Sequence, residues 1–186
     1  MDILDREVAF EGKYLRFVKK HCRKGSRAYV WETMERKNVY GEGAVVVVAL
    51  TRKRELVLER NWRAALESYV VQFPAGLTDK EGESKEEAAR RELLEETGYE
   101  AVELIPVVSV PLCPVLTATR ATHFFAPGVR LVGGQRMDAA EEIEVVKVPV
   151  AQVDDYLLNL PDDTALDLRV PGILWTLERK GLLSRE

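Results

Sequence analysis

The alternation of apolar and polar positions divides the chain into a strand-rich first half and a later part in which helices are inserted. Alternation is clearest in Tyr14-Leu15-Arg16-Phe17-Val18 and Tyr29-Val30-Trp31-Glu32. It predicts three strands over roughly residues 3–10, 14–23 and 28–36, with turns at Glu11-Gly12 and Lys24-Gly25. Tyr40-Gly41-Glu42-Gly43 breaks the pattern. Residues 44–50 form an unbroken apolar, valine-rich run, as expected of a strand buried on both faces. The polar stretch from Thr51 to Arg54 turns the chain into a neighbouring strand over residues 55–63. Residues 70–73 read as a short strand stopped by Pro74, and residues 75–83 as a loop.

Residues 84–97 carry the strongest helical signal. Ser84 and Glu87 make a capping box, S-x-x-E, and Gly98 supplies the stop. Strands are expected over residues 102–110, 121–126 and 144–148, and residues 128–140 read as a loop containing Gly133-Gly134. The remainder reads as helical, with Pro171 opening and Gly181 closing a last amphipathic helix. Strands first and helices later imply an α+β class with a mixed sheet.

Composition narrows the class without naming a function. The chain has 186 residues, 46% hydrophobic and 31% charged, which suits one globular domain with a small appendage. No window approaches the ~18 apolar residues of a membrane helix. The start, MDILDREVAF, lacks the basic and apolar regions of a signal peptide, and Cys22 and Cys113 show neither metal-ligand spacing nor a disulfide framework. A cytoplasmic setting is therefore expected. A net charge of −4 argues against nucleic acid as a partner, and the basic stretch Arg16 to Arg27 reads as a solvated strand pair. The two histidines, His21 and His123, lie far apart in sequence and suit structural roles better than nucleophilic catalysis.

The chemistry is concentrated in Gly76 to Tyr99. On a helix advancing ~100° per residue, Glu92, Glu95 and Glu96 share one face. Such an arc repels itself. No lysine or arginine falls within it, and its other occupants, Ala88 and Ala89, are small. Either the face is simply solvated, or a hard divalent cation compensates it, as Mg2+ does when held by carboxylates and substrate phosphates.

Order and spacing decide between these. The run Gly76, Glu83, Arg91-Glu92-Leu93-Leu94-Glu95-Glu96-Thr97-Gly98-Tyr99 resembles the signature of the Nudix hydrolases, G-x5-E-x7-R-E-U-x-E-E-x-G-U, where U is an apolar residue. The departure is in the first interval, where six residues separate Gly76 from Glu83 in a stretch read as a loop. The resemblance implies a Nudix α/β/α sandwich with a mixed central sheet. It also implies a small N-terminal antiparallel β-appendage, residues 1–40, ahead of a hydrolase domain, residues 41–186. The implied cofactor is Mg2+, or in some members Mn2+, held by Glu92, Glu95, Glu96 and the Ala75 carbonyl. Arg91 and Glu83 are expected to pair, tying the loop to the helix.

The resemblance extends to the ADP-ribose pyrophosphatase branch of the family. Phe73-Pro74-Ala75-Gly76 looks like its F-P-A-G element, and Pro114 stands sixteen residues beyond Gly98, where that branch has a proline. The chain departs after it, with Val115-Leu116-Thr117-Ala118-Thr119 in place of a glycine and an acid. Trp31-Glu32-Thr33-Met34-Glu35-Arg36 looks like the branch's W-E-x-x-x-R strand, which implies base and phosphate contacts from Trp31, Glu32 and Arg36. Arg63, Gln72, Pro114 and Leu116 are further implied substrate contacts, Gln72 standing where many relatives carry an acid. The branch takes its base from a mobile loop before an E-x-I-E-V strand. This points to Glu141 or Glu142, with Glu96 as the helix's own catalytic acid and Gly133-Gly134 as hinge.

The expected function is thus Mg2+-dependent hydrolysis of ADP-ribose to AMP and ribose 5-phosphate by a homodimer with exchanged N-terminal sheets. Hydrolysis of GDP-mannose or UDP-glucose is the alternative, and a catalytically silent ligand sensor is a third reading, disfavoured by the complete set of acids.

Overall fold

The computed structural model describes residues 1–40, 43–137 and 139–184. Gly41, Glu42 and Asp138, which fall in the break after the third strand and in the loop before Glu141, lie outside them.

Three ten-residue strands, β1 (Asp2–Glu11), β2 (Leu15–Lys24) and β3 (Arg27–Arg36), form an antiparallel sheet in that order. The predicted turns hold. The Gly12 N–H donates to the Leu15 carbonyl at 2.8 Å, and Gly25 takes φ 61° between Lys24 and Arg27, which face each other. Val18 and Cys22 are buried on the central strand, whereas Ile3, Phe10, Val30 and Trp31 remain exposed.

Among the described residues the second sheet has nine strands. β4 (Gly43–Thr51) pairs in parallel with β10 (Arg120–Leu131), and β10 carries β9 (Ile105–Pro111) and the short β8 (Tyr99–Glu100). On its other side β4 divides its pairing. Ala49 and Leu50 pair with β5 (Glu55–Arg63), whereas Ala44, Val45 and Val46 pair with β7 (Ala75–Leu77). β5 turns away to pair with β6 (Ser68–Gln72) and β11 (Ile143–Pro149), and β12 (Thr164–Leu166) closes the edge beside β6. A sheet that splits opens a cleft between its two parts.

Helices cover both faces. Alternate residues of β4 serve two cores. Val45, Val47 and Ala49 meet Ala88, Ala89 and Leu93 of α1 (Lys85–Thr97). Val46 and Val48 join the cluster built by α2 (Val153–Leu158) and α3 (Arg169–Arg179), with Leu157, Ile173, Leu174 and Leu177. This is the expected α/β/α sandwich with a mixed sheet and an N-terminal antiparallel sheet.

Four expectations about elements need correction. Residues 75–77 are a strand, because their backbone fills the half of β4 that β5 leaves unpaired. β9 begins at Ile105, since 102–104 lack a partner strand. β10 continues past Ala126 to Leu131 through a register shift at Gly128, whose φ of 67° suits glycine. The C-terminal part is not wholly helical: residues 164–166 pair with β6, and α3 opens at Arg169, two residues before Pro171. Among the described residues no helix is long and apolar enough to cross a membrane.

Candidate active site

The site is built where the sheet splits. α1 begins with the predicted capping box, the Ser84 N–H donating to Glu87 Oε2 at 2.8 Å and the Glu87 N–H to Ser84 Oγ at 3.2 Å. It ends at Gly98, φ 74°, where the chain passes so close to Gly133 that a Cβ would lie 2.3 Å from that residue's carbonyl oxygen. Between these caps the acids sit in the C-terminal half of the helix, with no basic residue in its last turn. Negative charge at that end opposes the helix dipole, so the arrangement costs stability.

The acids line one wall of a cleft of about 1050 Å³. Glu92 lies so close over Gly76 that a Cβ there would fall 1.9 Å from its carboxyl carbon, which is why a glycine is needed. Glu96 is buried and accepts from the Ala75 N–H at 2.8 Å. Burial pushes Glu92 above the usual carboxylate range, and burial together with the charge of Glu59 pushes Glu96 up as well.

Arg91 changes the picture drawn from helical spacing. Its guanidinium leans across the turn and donates to Glu92 Oε1 at 2.7 Å and to Glu95 Oε2 at 3.2 Å. It also binds Glu83 through two bonds of 2.8 and 2.9 Å. The acidic arc therefore does have a cationic neighbour, since a long side chain just outside an arc can reach into it. Arg91 nevertheless serves three glutamates.

Arg63 and Gln72 also line the cleft: Arg63 donates to Gln72 Oε1 at 2.6 Å, and Gln72 Nε2 reaches Glu59 Oε2 at 3.5 Å. Glu59 and Gln72 are paired residues on β5 and β6. Glu141 lines the cleft. Its neighbour Glu142 is held elsewhere: its carbonyl accepts from the Trp62 N–H at 3.0 Å and its carboxylate from the Tyr69 hydroxyl.

A NUDIX domain model matches residues 41–168, more than half of the chain. The chain belongs to the Nudix family. It is 34% identical over 153 residues to the ADP-ribose pyrophosphatase of Bacillus subtilis, covering 82% of this chain and 80% of that one. It is 30% identical over 154 residues to a GDP-mannose pyrophosphatase of Klebsiella pneumoniae, covering 77% and 74%. A crystal structure described as an ADP compounds hydrolase superposes with a TM-score of 0.80 at 25% identity, covering 98% of this chain and 96% of that one.

Nudix hydrolases generally use divalent metal ions, and the donor set here suits one. The candidate donors are all hard oxygens, the wall carries surplus negative charge, and one buried carboxylate oxygen, Glu59 Oε1, has no hydrogen-bond partner. Among the described residues no three acidic, histidine or cysteine side chains already converge as a cage. Glu92 and Glu95 are turned onto Arg91, and Glu95 also has Lys80 Nζ at 3.9 Å.

Of the residues singled out in this Nudix sequence, Arg36, Arg63, Gln72, Ala75, Glu92, Glu95, Glu96 and Glu141 meet at the cleft. Trp31, Glu32, Pro114, Leu116 and Glu142 are not part of its lining in a single chain. Leu116 instead borders β3, its carbonyl accepting from the Met34 N–H at 2.7 Å. The cleft also holds Lys80, Arg136, Asp167 and Arg169, which sequence reasoning missed because none carries a local signal. Glu59 did carry one: it is an acid directly after the apolar run Leu56-Val57-Leu58, in the strand read as the neighbour of the buried one.

Proposed function

We propose that this chain hydrolyses nucleoside diphosphate sugars, ADP-ribose foremost, to AMP and ribose 5-phosphate. The observation that carries this reading is that Glu92, Glu95, Glu96, Ala75, Glu141 and Arg63, from separate parts of the chain, line one cleft. Glu92, Glu95, Glu96 and the Ala75 carbonyl would hold Mg2+ or Mn2+. Bound there, the cation supplies neutralisation of the diphosphate and acidification of water.

The chain's own residues do the rest. Arg63 and Arg36 meet the diphosphate and hold it against the acidic wall. Glu141 orients the attacking water and takes its proton as the oxygen bonds to phosphorus and the anhydride oxygen leaves with the second product. Gly133 and Gly134 let the segment carrying Glu141 close over substrate. Glu142, bonded to Tyr69, anchors that segment.

The same reading makes the protein a homodimer with exchanged N-terminal sheets. Trp31 and Glu32 then meet the base in the partner's cleft, together with the Pro114–Leu116 segment. Its support is that Trp31 stands off its own cleft, on a sheet with Ile3, Phe10 and Val30 exposed. Both cysteines are free thiols, in keeping with a reducing cytoplasm as the setting.

The test is phosphate release in a phosphatase-coupled assay with Mg2+, with ADP-ribose, GDP-mannose, UDP-glucose and diadenosine polyphosphates side by side. A kcat/KM preference of tenfold or more for ADP-ribose is expected. The segment Val115–Thr119, which departs from the branch, favours the second reading, a GDP-mannose or UDP-glucose diphosphatase; preference for either would establish that instead.

A further inference from the structure

Glu59 stands in the middle of β5 with none of its surface exposed. An ionisable group so placed is costly unless it is paired. Its pairing within the protein is poor. Gln72 Nε2 approaches Oε2 at 3.5 Å, at the limit of a hydrogen bond, and Oε1 has no partner. The nearest guanidinium, Arg63, is engaged at 2.6 Å with the Gln72 oxygen. Its remaining neighbours are acids: Glu96, with which it shares a hydrogen bond, and Glu141, whose charge it feels.

A purely structural residue at this position would be apolar, since Leu56, Val57 and Leu58 before it are fully buried without cost. Two carboxyl groups facing each other away from water are explained if a cation completes the group. The arrangement supplies a route for that. Glu96 accepts from the Ala75 N–H at 2.8 Å, and Glu59, on β5, is not part of the cleft lining. Glu96 is thereby held between backbone and Glu59, with extra negative charge at its back.

We infer that Glu59 is part of the metal centre of this chain, a positioning carboxylate that acts through Glu96. It rests on the reading of Glu92, Glu95 and Glu96 as metal ligands. It adds to that site a residue from a different element, β5, well outside the helix motif. Glu59 fixes where the Glu96 carboxylate stands and strengthens its hold on a divalent cation by adding charge behind it.

The test is Mn2+ binding to the substrate-free protein, followed by the disappearance of the free-ion electron paramagnetic resonance signal, with thermal melts in chelator alongside. Glu59→Gln keeps the shape and removes the charge. It is expected to weaken the tightest Mn2+ site about tenfold, and threefold at the least, while Tm in chelator stays equal or rises because a buried acid is gone. Glu59→Leu should show the same pair of effects and serves if the glutamine variant does not fold. Affinity within threefold of wild type, or a loss of affinity accompanied by a lowered Tm in chelator in both variants, would overturn the inference. Glu96→Gln is the reference. If it loses Mn2+ while the Glu59 variants do not, Glu59 alone is reassigned. If Glu96→Gln also binds as wild type, the metal reading itself falls and this inference with it.

Discussion

The guanidinium of Arg91 grips both carboxylate oxygens of Glu83, at 2.8 and 2.9 Å, and so ties the loop that follows β7 to the middle of α1. The pair is largely screened from water, with side-chain exposures of 15% and 11%. Arg91 also donates to the Leu77 carbonyl at 3.2 Å, so one side chain holds both ends of the loop. The extra residue in that loop, relative to the Nudix signature, is accommodated without loss of the pair.

Removing this anchor should cost stability. Glu83→Gln is expected to destabilise the fold by about 2 kcal/mol at neutral pH, as breaking a mostly buried, bidentate ion pair does. The hydrogen bonds from Arg91 hold the Glu83 carboxyl below its ordinary value. A lowered folded-state pKa means stability that is present above the unfolded value, near 4.5, and is lost as pH falls through the folded one. Urea melts of wild type and variant should therefore differ at pH 7 and converge only as pH falls through the lowered folded-state value of Glu83.

Glu141 and Glu142 should separate cleanly. Glu141 lines the cleft, whereas Glu142 is bonded to Tyr69. Glu141→Gln is expected to lower kcat by roughly 10²–10⁴-fold, the usual range for losing a general base, with KM little changed. Glu142→Gln should cost only a few-fold. Equal losses at both positions in steady-state kinetics would refute the assignment of the base.

Glu96→Gln should bring turnover below a tenth of wild type while leaving the far-ultraviolet circular dichroism unchanged. Glu96 is buried beside Glu59 and both are pushed above the usual carboxylate range, so the neutral amide, close in shape to the protonated acid, should leave the fold intact. Activity above a tenth would sink its role as a metal ligand.

Two glycines should respond in opposite ways to alanine. At Gly76 the new Cβ meets the mobile end of Glu92, 1.9 Å from its carboxyl carbon, so the side chain yields and the backbone does not. Activity should fall tenfold or more with Tm within a few degrees of wild type. At Gly98 the Cβ meets the Gly133 carbonyl oxygen at 2.3 Å, on a backbone with φ 74°. Gly98→Ala should destabilise by about 1–3 kcal/mol, seen as a shifted urea midpoint.

Light scattering addresses the exchanged dimer. The expected mass is twice the chain's 21.0 kDa. Phe10→Asp, on the exposed face of β1, should shift the protein toward monomer and reduce activity in parallel. A monomeric wild type would remove the base site formed across subunits.

The residue pattern alone determined α1, its caps, the shared face of Glu92, Glu95 and Glu96, the doubly buried β4 and the pairing of Arg91 with Glu83. These depend on spacings of two, three and four residues, or on one motif, and such spacings are written locally. Tertiary structure decided the rest. The course of β10 beyond Ala126, and the strands β7 and β12, exist because partners distant in sequence offer free backbone edges. The reach of Arg91 into the acidic face depends on side-chain length, which helical angles do not express. The segment carrying Glu141 is held through its neighbour Glu142 by Tyr69 and Trp62, which lie far earlier in the chain. Glu59 meets Gln72 through strand register and Glu96 through packing of α1 on the sheet. No local pattern encodes either contact, because each is fixed only when the split sheet and its helix come together.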